Sequence, residues 1–572
     1  MLLMSASRRL LSAAIVVLLL VGGAMFLRGR RTSPAPSPAR PVVAALRAEP
    51  RSFNRFVAGD KATWVLTMLL HARLVQLNQR TQDIEPALAT KWTLDPDGRT
   101  YTLTLREGVV FSDGTPFTAD DVVFTFQALY DPKSEGPLAN SLRVNGQPLA
   151  VRKVDAHTVV LTLPAPYGPG LRLLNSLPIL PAHKLRDALA RGEFAKAWST
   201  ATPPADIVGL GPYVLRSYTP GERIELARNP RYGARGPGIQ PTVDRLTLRI
   251  IPSQDAERLA LEAGELDIMN SDIRPDDLKA MRGLEAGGRV HVFDLGPAVD
   301  QDALWFNLGA DARKPAAARP WLDRAMRRAV AHAVDRAAFV NTVYLGAAVQ
   351  ADGPIPPGNR TWYSDKLPRY AHDVARARQL LTEAGLKDVD GDGIFETSAG
   401  KPLAIELLTQ RGHAIRQRGA EVIASDLKDV GLTVNVVPLD VSALIDRLTK
   451  GTYDAAYYAV AATDTDPSAN LDYWLSSGSF HLWNPNQKTP ATPWEAEIDT
   501  LMQQLTGLTD VRERQARFVR VQQIIATELP TISFAAPSLM TATSTRVDGI
   551  EPSAITPYLL WRADTMRLAP PR

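Results

Sequence analysis

Residues 84–126 read IEPALATKWTLDPDGRTYTLTLREGVVFSDGTPFTADDVVFTF, and they predict a β-hairpin followed by a capped helix. The turn of the hairpin is DPDG, residues 95–98, because Asp, Pro and Gly form turns between segments in which apolar and polar side chains alternate. The alternating apolar residues are Trp92, Leu94, Tyr101, Leu103 and Leu105. Similar segments recur to about residue 163, so this part of the chain is predicted to be rich in strands.

Three acidic residues in the same stretch have local structural roles in this interpretation. Asp113 precedes a glycine in a turn dipeptide. Thr118 is the predicted N-cap of the helix, and Asp121, three residues later, completes a capping box at the positive helix end, with Asp120 in the same turn. Because each acid has a backbone group close at hand, we interpret them as determinants of the fold rather than as a catalytic or metal site.

Beyond residue 320 the sequence changes to helical periodicity. One face of segment 323–340 carries Met326, Ala329, Val330, Ala333 and Ala337. Two later segments, 375–387 and 419–432, contain a glycine followed by leucine, at Gly385 and Gly431, as left-handed helix C-caps prefer, and each leads into a strand. Helices that alternate with strands predict parallel strand pairing, so the second half of the chain is predicted to be an α/β domain.

The N-terminus has the composition of an export segment. Residues 10–27 carry no charge and are flanked by arginines on both sides. The run is longer than the roughly 7–15-residue apolar region of a cleaved signal peptide and close to the about 20 residues that span a bilayer, so cleavage and retention as a membrane anchor both stay open. A proline-rich spacer, residues 32–41, follows, and the folded body is predicted to begin near Val42.

The charge and cysteine content exclude several classes of protein. The net charge is +4, but residues 1–31 hold five arginines and no acid, so the exported body carries 4 − 5 = −1 and has no electrostatic reason to bind nucleic acid. The absence of cysteine excludes disulfides and thiolate metal sites. A length of 572 residues predicts two or three domains.

The main candidate ligand site follows an apolar segment at residues 453–460, which is predicted to be a buried strand. Ligands of open α/β sheets lie outside the carboxyl ends of strands, and this strand is followed by Thr463, Asp464 and Asp466, which offer acceptors for an ammonium group. Trp474, Trp483 and Asn484 follow and add stacking and amide surfaces. The alternative, an Asp-Pro loop that only caps the next helix, has equal weight.

Two other loops contain candidate binding residues. In QRGHAIRQR, residues 410–418, Arg411, His413 and Arg416 are candidate donors to a carboxylate, although a solvated basic helix face explains them better. In DVDGDGIFE, residues 388–396, the spacing is that of a calcium loop, but position twelve is Ala399 rather than glutamate, so a tight turn is favoured.

Local motifs of metalloproteases, serine hydrolases and phosphate-binding loops are absent from the sequence. We therefore predict no catalytic residue, no metal and no cofactor.

Six segments together resemble the family 5 extracellular solute-binding proteins, the peptide- and nickel-type receptors of ABC importers. The segments occur in the family's order and span most of the chain from about residue 42 to 570. They are the stretch 84–126 quoted above, GLGPYVLRSYTPGERIELARNPRYG at 209–233, ALEAGELDIM at 260–269, WFNL at 305–308, RAMRRAVAHAVDRAAFVNTVYLGAAVQADGPIPP at 324–357 and ARARQLLTEAGLKDVDGDGIFE at 375–396.

The resemblance implies an α/β fold of the type II periplasmic binding protein class, with two lobes and an additional domain. Domain I would comprise residues 42–72, 206–300 and 526–572, domain II residues 73–205, and the opposing lobe, domain III, residues 301–525. The predicted ligand-binding residues are Phe53, Asn54, Arg411, His413, Thr463, Asp464, Asp466, Trp483 and Asn484. Thr463 stands where the family's peptide receptors place an aspartate for the peptide amine, which weakens the case for a peptide ligand.

The expected function is that of an extracytoplasmic receptor that binds an oligopeptide or similar polar solute between two lobes and delivers it to an ABC importer permease. The expected state is a periplasmic or extracytoplasmic monomer, with or without a tether formed by residues 10–27. A membrane-anchored sensor or chaperone with the same fold is the alternative. A peptide hydrolase is disfavoured because no nucleophile has an obvious base.

Overall fold

The structure is a computed structural model that describes residues 40–134, 136–311, 313–314, 316–396, 403–460, 462 and 464–570. Residues 10–27, predicted to be the export segment, and most of the spacer 32–41 lie outside the described residues. Within the described ranges, no helix is both long and apolar enough to cross a membrane.

We call residues 42–298 with 535–570 the β-rich portion; two of its sheets are formed from these residues alone, and a third also takes in strand Ala348–Gln350 from between residues 301 and 533. The first sheet has the strand order Val42–Leu46, Arg245–Ile250, Arg223–Arg228, Tyr213–Thr219. The second has the order Ala89–Leu94, Thr100–Leu105, Thr158–Thr162, Ala150–Asp155. The third has the order Val290–Pro297, Ala535–Ser544, Ala348–Gln350. Two-stranded pairs are formed by Val75–Leu77 with Ile84–Pro86, Arg143–Val144 with Gln147–Pro148, and Val547–Asp548 with Arg567–Leu568.

The predicted hairpin and capped helix are confirmed. Strands Ala89–Leu94 and Thr100–Leu105 pair antiparallel, and the turn between them includes a glycine at φ +69°. Thr118 and Asp121 form the reciprocal capping box of helix Ala119–Leu129. Asp113 and Asp121 accept local backbone hydrogen bonds, as the spacing predicted. Distant residues also contact the acids of this stretch: His183 contacts Asp113, Lys153 contacts Asp120 and the N–H of Ala182 donates to Asp121.

The α/β portion, residues 301–533, is built on one five-stranded sheet with the order Thr433–Leu439, Ala404–Gln410, Ala455–Tyr458, Ala303–Phe306, Thr531–Ser533. The first three strands pair in parallel, as the alternation of helices and strands predicted, and the last two add antiparallel. The strand that precedes the candidate site is Ala455–Tyr458, shorter than the predicted 453–460.

Fourteen α-helices are found among the described residues. They are Lys61–Leu70, Ala119–Leu129, Pro137–Ser141, Ala182–Ala190, Gln254–Glu262, Leu278–Ala286, Arg324–Ala333, Arg336–Tyr344, Val374–Glu383, Ala414–Asp429, Val441–Thr449, Leu471–Trp474, Pro493–Gly507 and Val511–Glu528. Gly385 and Gly431 follow their helices at φ +85° and +90°, which confirms the left-handed caps. The predicted helical face of 323–340 is divided, because Asp335 caps a second helix after Ala333, and Ala337 is exposed.

The chain crosses between the two portions near residues 298–302 and again near Phe534. Thr531–Ser533 pairs with Ala303–Phe306 in the α/β portion, whereas Ala535–Ser544 pairs with Val290–Pro297 in the β-rich portion. The second crossing therefore lies after the predicted domain boundary at residue 526. The crossings place residues 299–303 and 531–533 beside the carboxyl end of strand Ala455–Tyr458.

Candidate functional site

A cavity of about 90 Å³ lies at the carboxyl end of strand Ala455–Tyr458. Its walls come from the first chain crossing, from the loop after this strand and from the end of the sheet. The lining residues are Val299, Asp300, Gln301, Ala303, Trp305, Pro354, Ile355, Pro356, Asn359, Val460, Ala462, Asp464, Thr465, Pro467, Asn470, Tyr473, Trp474, Thr531 and Ser533. The cavity therefore lies at the end of the sheet where the rule that ligands bind beyond the carboxyl ends of strands predicts a ligand site.

Asp300 is the acid of this cavity without a cationic partner among the described residues. Its Oδ1 accepts a hydrogen bond of 3.2 Å from the backbone N–H of Ala462. Burial raises the pKa of Asp300, and this hydrogen bond opposes the shift only in part. A cationic group that entered the cavity would stabilise the ionised carboxylate.

Three aromatic residues, Trp305, Tyr473 and Trp474, also line the cavity. The ring of Tyr473 lies edge-on to Trp305 and to Trp474, with centroids 5.7 and 4.5 Å away. Three buried polar atoms on the lining residues have no hydrogen-bond partner among the described residues: Trp474 Nε1, Gln301 Oε1 and Asn359 Oδ1. The lining residues therefore combine aromatic rings with amide groups and a carboxylate, which suits a ligand with a donor-rich end and an apolar body.

Asp464 lies at the rim of the cavity and is bound by an arginine from the β-rich portion. Arg172 Nε donates to Asp464 Oδ1 over 2.6 Å, and its Nη2 donates to Thr465 Oγ1 over 2.5 Å. Its Nη1 donates to the carbonyl of Gln82 over 2.8 Å, which fixes the guanidinium on its own side. Arg172 thus joins the two portions across the cavity rim and neutralises the carboxylate that the sequence offered to a ligand.

Asp466, the second predicted acid, is a structural residue in this arrangement. It is 4% exposed, and both of its oxygens accept hydrogen bonds from Arg514, over 2.6 and 2.9 Å. Asp466 also caps the short helix Pro467–Asn470. Its carboxylate does not line the cavity, so the alternative of a capping Asp-Pro loop describes Asp466 correctly.

Four other predicted ligand residues are buried away from the cavity. Trp483 is in the hydrophobic core of the α/β portion, and Asn484 donates its amide to Gln487 and Glu495. Phe53 packs in the core of the β-rich portion, and Asn54 donates to two backbone carbonyls there. These aromatic and amide groups pack in the core or donate hydrogen bonds within the protein. None of the four residues lines the cavity, so their contact with a ligand stays a prediction.

The loop after strand Ala404–Gln410 also lies outside the cavity lining. Arg411 is exposed and contacts the carbonyl of Pro438. His413 is the N-cap of helix Ala414–Asp429, and burial, with Arg416 nearby, lowers its pKa. Arg416 itself is paired with Asp302 over 2.7 Å. Thr463 lies outside the described residues.

The acids of the calcium-like loop do come together. Oxygens of Asp388, Asp390, Asp392 and Glu396 all lie within 4.8 Å of one another. Asp388 accepts hydrogen bonds from the N–H groups of Gly391 and Gly393, and Glu396 accepts one from Val389. These are the hydrogen bonds of a tight turn, the interpretation favoured by the sequence.

Sequence reasoning missed Asp300, Gln301, Asn359 and Arg172. Asp300 and Gln301 lie at a chain crossing, where no periodic pattern marks them, and Arg172 is 292 residues from Asp464. The one available signal was the sequence VDQDALWF, residues 299–306, in which two acids precede a short apolar strand.

Comparison with known proteins gives the class. The sequence model of the bacterial extracellular solute-binding proteins, family 5 Middle, matches residues 83–481. The probable D,D-dipeptide-binding periplasmic protein DdpA of Escherichia coli K12 is 27% identical over 498 residues, covering 85% of this chain and 86% of that protein. Heme-binding protein A of Haemophilus influenzae is 29% identical over 495 residues, covering 84% of each.

A solved structure agrees in fold. The ABC transporter substrate-binding protein CtaP of Listeria monocytogenes superposes with a TM-score of 0.75 at 23% identity, covering 92% of this chain and 99% of that one. The fold is therefore that of the α/β type II periplasmic binding proteins. The chain belongs to the family 5 bacterial extracellular solute-binding proteins, and it is a binding protein rather than an enzyme.

Proposed function

We propose that the protein is an extracytoplasmic receptor that captures a peptide, or a solute with a similar cationic end, in the cavity beside Asp300 and delivers it to an ABC importer permease. The observation that carries this proposal is a half-buried carboxylate without a cationic partner among the described residues, in a cavity that is also lined by Trp305, Tyr473 and Trp474 at the strand end. Relatives named for D,D-dipeptides and for heme support a solute receptor, and the chemistry of the cavity favours the peptide.

The amino group of the peptide contacts Asp300, and the carbonyl oxygens of Gln301 and Asn359 accept its remaining N–H groups. Trp305 and Trp474 cover apolar side chains of the ligand. Micromolar binding requires about 8 kcal/mol, and a charge-assisted hydrogen bond to Asp300 contributes about 2 kcal/mol of it.

The ligand enters only when the two portions separate. One water needs roughly 10–15 Å³ of cavity volume, so about 90 Å³ accommodates several waters and not a peptide. We therefore take the β-rich and α/β portions as the two lobes, residues 73–205 as the additional domain, and the crossings near residues 298–302 and Phe534 as the hinge. Release of Asp464 by Arg172 opens the entrance. Hinge opening of this kind is a common ligand response.

The receptor acts as a monomer outside the cytoplasmic membrane, and residues 10–27 keep it tethered there. Support for the tether comes from the length of the uncharged run and from the spacer that follows it. N-terminal sequencing of the exported protein tests this point, because cleavage after residues 22–24 would remove the tether.

Calorimetry with matched peptides tests the ligand. Di- to pentapeptides with a free amino group are expected to bind the native protein at micromolar concentrations, and their N-acetylated forms about 30-fold more weakly. Asp300→Asn should weaken the free peptides by the same factor and leave the acetylated ones unchanged. Asp294→Asn, an exposed aspartate on a nearby strand, is the matched control. If free and acetylated peptides bind equally well, Asp300 does not recognise the amino group. If no peptide binds, the ligand is not a peptide.

A further inference from the structure

A second cavity lies in the β-rich portion, between the C-terminal end of helix Lys61–Leu70 and residues 560–564. It encloses about 30 Å³. Its polar lining consists of His71, Arg73, Gln76, Tyr232, Arg235 and Asp564. Gly211 explains how the backbone closes around it: its N–H donates to the carbonyl of Leu70, and a Cβ at this glycine would come within 2.4 Å of the carbonyl oxygen of Leu69.

Arg73 is the unusual residue of this cavity. It is 7% exposed, and its guanidinium has no hydrogen bond and no ion pair with any described residue. The ring of His71 stacks on Trp198, and its Nδ1 is buried without a partner. Two unpartnered polar side chains, each more than nine-tenths buried, therefore line the same small space.

The charges around the cavity do not cancel. Arg235 is paired with Asp564 over 2.7 Å, and Tyr232 donates to the same carboxylate. Two arginines and one aspartate leave one positive charge, that of Arg73. Glu85, a carboxylate outside the lining, is paired with Arg562, which also lies 3.7 Å from Glu551. Arg55 is a further cation whose charge acts on Arg73.

Burial of an unpaired guanidinium is costly, since an arginine cannot become neutral at physiological pH and its five N–H groups need acceptors. Burial and the charge of Arg55 lower the pKa of Arg73 to about 10, which still leaves it charged at pH 7. None of the described residues accepts a hydrogen bond from the Arg73 guanidinium, so its acceptor is the molecule or ion that occupies the cavity. Water would accept hydrogen bonds without balancing the charge, whereas an anion does both.

We propose that this cavity binds one small monovalent anion of halide size, held by Arg73 and enclosed by His71 and Gln76. By the rule that one water needs roughly 10–15 Å³, the volume fits one such anion or two waters. The site is independent of the solute cavity, and its ligand does not depend on the proposed transport function. Its role is to fasten the loop after the first helix to residues 560–564.

Bromide and chloride serve as probes. Crystals of the native protein grown in sodium bromide should show an anomalous peak within hydrogen-bond distance of the Arg73 guanidinium. In solution, the melting midpoint of the native protein should be higher in sodium chloride than in sodium gluconate of equal concentration, because an anion that binds only the folded state stabilises it.

Arg73→Met should abolish the difference between the two salts, and Arg80→Met, an exposed arginine of the following loop, should retain it. If Arg73→Met does not fold, the bromide peak and the salt comparison on the native protein still test whether an anion binds. The absence of a peak means that water fills the cavity and overturns the proposal. A peak with equal melting midpoints means an adventitious ion only and overturns it as well.

Discussion

Arg172→Ala should open the cavity rim of the ligand-free protein. The side chains of Arg172 and Asp464 are 12% and 24% exposed, so their ion pair is better shielded than a surface pair. Arg172 donates two of its three hydrogen bonds to residues of the α/β portion, Asp464 and Thr465. A partly buried, charge-assisted contact of this kind contributes about 2 kcal/mol, and its loss shifts the closed-to-open ratio by about 30-fold.

Single-molecule energy transfer measures this ratio. The chain has no cysteine, so cysteines introduced at the exposed residues Ala195 and Gln503 place two dyes on opposite sides of the contact. Arg172→Ala should increase the low-transfer population. Asp464→Ala should do the same, and the double variant should add little, since both single changes remove one interaction.

Arg191→Ala is the matched control, because it removes an exposed ion pair with Glu193 inside the same domain. Its transfer distribution should equal that of the native chain. If the Arg172 and Asp464 variants are additive, or if neither changes the distribution, the ion pair does not hold the two portions together and the reasoning is wrong.

Three other predictions concern Arg514 and Gly168 near the loop of Asp466, and the buried His71. Arg514→Met should destabilise folding by about 3–5 kcal/mol in denaturant titration, because it leaves Asp466 buried without a partner, and adding Asp466→Asn should restore part of the loss. Gly168→Ala should increase the open population, since a Cβ there would come within 2.3 Å of Arg514 Nε; unchanged energy transfer would contradict this. Burial lowers the pKa of His71 to about 4, so the unfolded chain takes up this proton first and stability should fall by about 3 kcal/mol as the pH drops from 6.5 to 4. His71→Gln should flatten that dependence and His291→Gln, at an exposed site, should not.

The parts of the fold that sequence reasoning found are those that local physics determines. The hairpin, the capping box of Thr118 and the left-handed caps at Gly385 and Gly431 each depend on residues within one turn of the chain. The cavity end of strand Ala455–Tyr458 was also predictable, because strand direction alone selects it.

The contacts that decide the chemistry of the site were not predictable in this way. Asp464 and Asp466 look equivalent in the sequence, yet their partners are 292 and 48 residues away. Trp474 and Trp483 were equally good stacking candidates, and both rings are in the same core, but only Trp474 lines the cavity. Burial and pairing follow from tertiary packing, which one sequence without an alignment does not reveal.

The two aspartates of the loop differ in the behaviour that we predict for them if the two portions separate as proposed. Asp466 and Arg514 both belong to the α/β portion, so their ion pair moves as a unit and holds the loop in shape. Asp464 is paired across the rim, so the same motion separates it from Arg172 and leaves its carboxylate without a cation. In the proposed opening, Asp466 keeps its partner and Asp464 loses its own, so separating the two portions would expose a carboxylate at the cavity rim.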